Sequence, residues 1–347
     1  MTDFYGQVAG AFRSSGLRVG LVGTGYVAKL RAEALQAADG AQVVAIAGHS
    51  WSRSQAIAQT FGAIALASWQ GLVARSDLDL VIIATINRDH GAIARAALEA
   101  GKHVVVEYPL SLRVAEATAL VHLAQVQGKL LHVEHIELLG GLHQALLQAL
   151  PQVGKPLYAR YATLSPKRPA PQQWTYHPQE FGFPLVGALS RIHRLTHAFG
   201  QVAAVSGQAR FWHRDGTDFW PWDEPASSHF ASCLCTAQLH FASGLLATVT
   251  YGKGSYIWQP ERRLEVQGEV GGLVFDQDRG TLTQPDREQT LTVASRRGLF
   301  AQDTQLVIAA LQDGKPLYVT PEGSLYALKV ADAIRQATET GQTVALD

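Results

Sequence analysis

Leu17-Arg18-Val19-Gly20-Leu21-Val22-Gly23-Thr24-Gly25-Tyr26-Val27-Ala28 decides the fold of this chain. The apolar run at 18–22 reads as a strand, and the period that follows over 26–38 reads as a helix. The turn between them matches G-x-G-x-x-(G/A) at Gly23, Gly25 and Ala28. Gly23 permits a tight turn, Gly25 lets the backbone approach a pyrophosphate, and Ala28 lets the helix pack closely on the strand. The start of the helix then faces the phosphate charge. A tight βα turn without a ligand can carry the same pattern, so its surroundings matter. Here strand, helix and βαβ continuation are all predicted, and Gly23, Thr24, Gly25, Tyr26 and Val27 are the expected contacts to a dinucleotide.

Working outward, strands are predicted at 42–47, 80–84, 103–106 and 130–133, alternating with helices at 52–61, 89–100 and 114–127. Strict β–α alternation at this spacing argues a parallel, doubly wound sheet. After about residue 137 the pattern changes to strands joined by short glycine turns, at 157–163, 202–212, 237–241, 245–251, 264–267, 272–275 and 291–293. Two helical periods, 185–199 and 324–340, accompany them. The expected fold class is therefore α/β. An N-terminal extension over 1–16 precedes a dinucleotide-binding Rossmann domain over 17–136. A substrate-binding α+β domain with a large, mostly antiparallel sheet follows over 137–347. The stretch 215–228 carries Phe219-Trp220-Pro221-Trp222 and reads either as a lid or as a surface loop with its aromatics tucked in.

Composition bounds the function. A chain of 347 residues exceeds the roughly 250–300 at which one core stops growing, so two domains are natural. With 29 basic and 29 acidic residues there is no electrostatic footprint for nucleic acid or an anionic membrane. No apolar run approaches the ~20 residues of a membrane span, and the first residues lack a signal-peptide core. The two cysteines, Cys233 and Cys235, share one face of a strand, where a disulfide would be strained. They are expected to be reduced, which fits a cytoplasmic protein, and a monomer is expected.

The remaining site candidates lie at strand ends. The second strand ends Ala47-Gly48-His49-Ser50-Trp51-Ser52-Arg53, without the acid that would bond an NAD ribose hydroxyl. Ser50 and Arg53 instead suit the 2′-phosphate of NADP. The fourth strand runs into Thr85-Ile86-Asn87-Arg88-Asp89-His90, so that Asn87 and His90 can reach the cofactor with Thr85. The next closes in Glu107-Tyr108-Pro109, which places a carboxylate and a phenol at a ligand edge. His132 and His135 flank Glu134, but residues i and i+3 of a strand face opposite ways, and no third ligand matches; a metal is not expected. His135 and Glu137 are candidates for the substrate side of the nicotinamide.

Gly-Thr-Gly-Tyr, then Ala-Thr-Ile-Asn with His90, then Ala-Gly-Lys-His-Val ending in Glu-x-Pro, together resemble the glucose-fructose oxidoreductase and inositol dehydrogenase superfamily. Its usual triplet is Glu-Lys-Pro, whose lysine assists proton transfer at an alcohol carbon, with a later Asp-x-x-x-His pair. This chain has Tyr108 in the lysine position, and its corresponding helix, Phe183–Arg191, lacks that pair. Both departures resemble the biliverdin reductase branch, of cyanobacterial type, as do Gln173-Trp174-Thr175-Tyr176-His177, Phe181-Gly182-Phe183-Pro184 and Leu189-Ser190-Arg191. The resemblance implies hydride transfer from NADPH to the C10 methine bridge of biliverdin, giving bilirubin. It also places Arg191 at the reacting centre. Tyr108 could donate through its hydroxyl, with an unperturbed pKa of about 10, or only orient the substrate. A guanidinium is a poor literal acid, so charge stabilisation and proton delivery through a relayed water are the expected roles of Arg191. Arg194, three residues on, is a candidate propionate partner, as are Lys167, Arg168, Arg296 and Arg297. The alternatives are an NADP-dependent sugar or polyol dehydrogenase and a regulator that senses NADP without turnover.

Overall fold

The computed structural model describes residues 16–223 and 229–346. The chain divides into two compact units, Met1–Ile136 with Arg297–Leu325, and Glu137–Arg296 with Tyr326–Asp347. The expected extension over 1–16 lies, but for Gly16, outside the described residues.

The first unit is built from β1 (Leu17–Val22), α1 (Tyr26–Ala37), β2 (Ala41–Ala47), α2 (Trp51–Phe61), β3 (Ile64–Leu66), α3 (Trp69–Val73), β4 (Leu80–Ile83), α4 (Asn87–Glu99), β5 (His103–Glu107), α5 (Val114–Val126) and β6 (Leu131–Glu134). The strands form one parallel sheet in the order β3-β2-β1-β4-β5-β6. β4 is buried along its whole length, as a strand covered on both faces must be. The strand order reverses between β1 and β4. The crevice beyond their carboxyl ends is where such sheets bind ligands. α2 begins one residue earlier than its periodicity suggests, because Ser50 rather than Ser52 is the cap and accepts a hydrogen bond from the Arg53 backbone N.

The second unit comprises α6 (Gly141–Ala149), β7 (Pro156–Pro166), α7 (Pro178–Phe181), α8 (Pro184–Gly187), α9 (Ser190–Phe199), β8 (Val202–Trp212), β9 (Asp218–Phe219), β10 (Ser232–Phe241), β11 (Leu246–Gly254), β12 (Glu261–Gly268), β13 (Gly272–Asp276), β14 (Arg279–Gln284), β15 (Arg287–Leu291) and β16 (Val344–Ala345). All ten strands join one sheet in the order β15-β14-β13-β12-β7-β11-β10-β8-β16, with β9 beside β8. Every pairing is antiparallel except β7 with β11. Ala159, Tyr161 and Thr163 of β7 and Val249, Tyr251 and Lys253 of β11 are buried on one face, and Ala162 and Gly252 are buried on the other as well.

Four expectations change. The single helix over 185–199 is two, α8 and α9, parted at Ala188 with φ −105° and ψ 39°. Gly187 lies so close to the Phe181 carbonyl that a Cβ there would come within 2.4 Å of its oxygen, and the chain bends to follow that contact. The expected strand at 291–293 ends at Leu291, and β14 was not foreseen. β15 is exposed or half-exposed throughout, so no apolar alternation marks it. Arg297–Leu325 does not stay with the residues around it. Its helix α10 (Leu299–Asp313) lies on α1 and adds Val307, Ile308 and Leu311 to the core formed by Leu17, Leu21, Leu35 and Ile46. At about 1.5–3 kcal/mol per fully buried aliphatic side chain, that contact is ample reason for the return. Finally, in the described part of the 215–228 stretch the aromatics are tucked in: Trp220 and Trp222 each stand edge-on to Phe211 at 5.7 Å. Residues 224–228 lie outside the described set.

Candidate active site

In the first unit the phosphate turn is built for a close approach. Gly23 has φ +135° and donates its N–H to the Ala47 carbonyl at 2.8 Å. A Cβ there would come within 2.0 Å of the Ala84 carbonyl oxygen, so only glycine fits. Gly25 is the N-terminal cap of α1 and, lacking a side chain, leaves the first-turn N–H groups to whatever binds there. Nothing lies within 4 Å of where its Cβ would stand. Ala28 is buried behind the turn, while Thr24 and Val27 are half-buried and Tyr26 is exposed. These features fit a dinucleotide pyrophosphate.

At the end of β2, Ser50 Oγ lies 3.1 Å from Ser52 Oγ, and Arg53 is exposed beside them. His49 Nε2 meets Asp89 Oδ2 at 3.2 Å, and Arg88 Nε donates to the same carboxylate at 3.1 Å. The sequence here has hydroxyls and cations at the ribose end, and its nearest acid is already paired twice.

Two expected cofactor contacts are repositioned by the structure. His90 is fully buried, with Nδ1 2.8 Å from the Pro109 carbonyl and Nε2 3.2 Å from that of Thr85. Burial lowers its pKa. Its ring holds the ends of two strands in place rather than reaching outward. Asn87, at 4% exposure, likewise begins α4 from inside. Thr85 remains half-exposed at the crevice.

Glu107 is held from below. Arg31 Nε donates to Glu107 Oε1 at 2.9 Å, and Arg31 NH1 donates to Asp303 of α10. Asp303 also receives Tyr318 OH and pairs with His132 Nε2, both at 2.8 Å. Burial alone would raise the Asp303 carboxyl, but Arg31 and His132 outweigh it and hold the group below the usual carboxylate range. Glu134, register partner of Glu107, has its pKa pushed well up by burial, then by the charge of Glu107 and their hydrogen bond. Tyr108 stacks on His135, with centroids 5.1 Å apart and planes 7° from parallel. His135 is fully buried, and its Nε2 lies 2.9 Å from Ser324 Oγ. Expected to line the substrate side, His135 instead backs the tyrosine ring. Arg31 and Asp303 carry no motif and lie 272 residues apart, so periodicity could not have found them.

In the second unit a cavity of about 430 Å³ opens on the buried face of the large sheet, lined among others by Tyr161, Thr163, Ser190, Arg191, Arg262 and Arg296. β-Register sets Arg262, Thr163 and Tyr251 in one row across β12, β7 and β11. Arg191, from the first turn of α9, lies over that row. Its Nε donates to Thr163 Oγ1 at 3.3 Å, its NH1 to Ser190 Oγ at 3.0 Å, and its guanidinium sits 5.2 Å from the Tyr251 ring centre. Beyond it, Lys253 Nζ donates to the Thr175 carbonyl and lies 3.7 Å over Phe181 and 4.8 Å over Tyr176. Burial brings its pKa down to about 8.

Glu137 gathers the cations. Arg194 NH2 donates to Oε2 at 2.9 Å, Arg262 NH2 to the same oxygen at 3.4 Å, and Arg296 NH2 to Oε1. Burial pushes the Glu137 carboxyl up, and the arginines 194, 296, 262 and 191 together bring it below its ordinary value. Arg194 is only 1% exposed and lies over the Tyr161 ring. It anchors Glu137 from beneath and is not an open propionate partner. Arg168 is likewise committed, donating to the Ser255 and Ile257 carbonyls and stacking on Trp258. Arg262 escaped the sequence reading, although its alternation with Leu264 and Val266 sets it on the inward face of β12.

The fold and these sites define an NAD-binding oxidoreductase: residues 17–135 match the oxidoreductase family with NAD-binding Rossmann fold, and residues 151–346 match that family's C-terminal alpha/beta domain. The chain belongs to this family. Among solved structures it is similar to biliverdin reductase from Synechocystis sp. PCC 6803, in complex with biliverdin and NADP+, with 52% identity over 93% of this chain and 99% of that one, at a TM-score of 0.88. UDP-N-acetylglucosamine 3-dehydrogenase from Acidithiobacillus ferrooxidans shares the fold at 21% identity and a TM-score of 0.73, over 94% of this chain and 98% of that one. Among curated proteins, biliverdin reductase A of Mus musculus is 36% identical over 132 residues, 38% of this chain and 41% of the relative. The chain spans about two fifths of the length of the curated relatives it matches first.

Proposed function

We propose that this protein is an NADPH-dependent biliverdin reductase, reducing the C10 methine bridge of biliverdin to give bilirubin. The observation that carries this reading is the end-to-end likeness to the Synechocystis biliverdin reductase, in a chain whose own strand end has Tyr108 where an alcohol dehydrogenase of this family needs lysine. The residues at the β1 and β2 ends fit NADPH: an open glycine turn at a helix start, and Ser50 with Arg53 where an acid would select NAD. When bound there, NADPH supplies the hydride.

The chain's own residues then have three tasks. Hydride arrival leaves negative charge on the pyrrole system, and Arg191 is the cation we assign to it, braced by Thr163 and Ser190. One proton must reach a ring nitrogen, and we assign its delivery to Arg191 through a water, with Tyr108 orienting the bilin from its stack on His135. The third is to back the reacting face, which we assign to the buried rings of Tyr161 and Tyr251. We further propose that the protein works as a cytoplasmic monomer in tetrapyrrole metabolism. Support comes from its two buried thiols, its zero formal net charge, and the lack of any helix, among the described residues, long and apolar enough to cross a membrane.

The test is spectroscopic. Mixed with NADPH and biliverdin, the protein should remove the red biliverdin band and raise a blue-region bilirubin band. A mixture that stays unchanged while NADPH binds tightly refutes the proposal and favours a sensor.

A further inference from the structure

We propose that Arg262 and Arg296 are the carboxylate-recognising pair of the second unit's cavity and set its preference for a dianionic ligand; this deepens, and rests on, the bilin reading above. Both guanidiniums line the cavity, with side chains 29% and 45% exposed, whereas Arg194 behind them is 1% exposed. Glu137 takes one NH2 group from each. A guanidinium carries five N–H donors in a fixed fork, so each keeps donors for a second carboxylate. Glu137 thus acts as a brace that aims the pair without exhausting it.

The charge balance points the same way. Of the acids on the cavity wall, Glu261 is taken by Arg160 at 2.7 Å. What remains on the wall is Arg191, Arg262 and Arg296 against Glu137 and Asp278, three cations against two anions, with Arg194 buried behind Glu137. The wall is net positive, and Arg262 and Arg296 offer one guanidinium to each carboxylate of a dianion, as biliverdin is through its two propionates. The remaining wall, Tyr161, Thr163 and Leu164, offers a half-apolar surface for a flat conjugated body. A neutral polyol would leave the excess charge uncompensated.

The experiment compares biliverdin with its dimethyl ester, which keeps the conjugated system and removes both charges. The full chain is titrated with each bilin by absorbance, and kcat/KM is measured with NADPH. Wild type should favour the diacid at least ~10-fold, as expected for charged hydrogen bonds. Arg262→Gln and Arg296→Gln should each weaken the diacid ~10-fold and leave the ester within about 2-fold, and the double variant should bind both alike. A misfolded variant would lose both ligands together, so the ratio isolates the effect. Equal binding of diacid and ester by wild type overturns the proposal, and so do variants that weaken both bilins equally or a chain that binds neither. Discrimination without reduction of either bilin would sustain the dianion site and sink the reductase reading, so the two fail separately.

Discussion

Asp303→Ala should be among the most damaging single changes in the first unit. Asp303 is fully buried and binds Arg31, His132 and Tyr318 at once. Among the described residues Arg31, itself 1% exposed, keeps Glu107 as its ion-pair partner when Asp303 is removed. Breaking a buried ion pair by deleting one partner costs about 3–5 kcal/mol, because the other charge is stranded away from water. For a unit of this size each kcal/mol moves the midpoint by about 2–4 °C, so a fall of roughly 6–20 °C is expected. Differential scanning calorimetry on the full chain is the assay. The Arg31→Met/Asp303→Leu double variant removes both charges and should recover much of the loss, since apolar replacement of a buried pair is often near neutral. A midpoint within about 2 °C of wild type for Asp303→Ala would refute the reasoning. So would a double variant that melts lower than the single one.

Other outcomes follow from the second unit and the cofactor turn. Burial lowers the pKa of His143 to about 2 and of His193 to about 3, against about 6.5 unfolded. The unfolded chain therefore binds more protons, the neutral rings stabilise the fold fully above about pH 6.5, and that stability falls by ~1.4 kcal/mol per pH unit for each ring as pH drops below it. Urea unfolding between pH 7 and 5 should show this slope flatten in a His143→Phe/His193→Phe variant; an unchanged slope contradicts it. Arg191→Ala should lower kcat by roughly 10²–10³, the usual loss of a charge-stabilising group, whereas Tyr108→Phe should cost less than about 10-fold if the ring only orients the bilin. Steady-state turnover of biliverdin checks both, and near-normal activity in the arginine variant removes it from the mechanism. Arg53→Ala should raise the Michaelis constant for NADPH at least ~10-fold and leave that for NADH alone, given the worth of a charged hydrogen bond; a wild type that prefers NADH would sink the assignment.

Much of the first unit was legible from residue order because its signals are local. The run Leu17–Ala28 names its strand, turn and helix within twelve neighbouring residues, and the β–α alternation follows from short-range periodicity. Glu107-Tyr108-Pro109 was likewise visible as a strand end at a ligand edge. What periodicity could not reach were contacts between residues far apart in the chain. Asp303 meets Arg31 only because α10 returns to the first sheet. Arg262, Thr163 and Tyr251 align only through strand register.

The sequence by itself therefore determined the doubly wound sheet, the phosphate turn and the tyrosine that stands in place of lysine, since each depends on neighbours along the chain. Only the tertiary structure decided which polar residues line a cavity and which support from behind. It turned His90 and His135 inward as supports, and buried Arg194 beneath Glu137. It left Arg191, Arg262 and Arg296 on the wall of one cavity. Exposure and partner are properties of packing, in which a charge is either paired out of water or left facing it, and no local pattern encodes that choice.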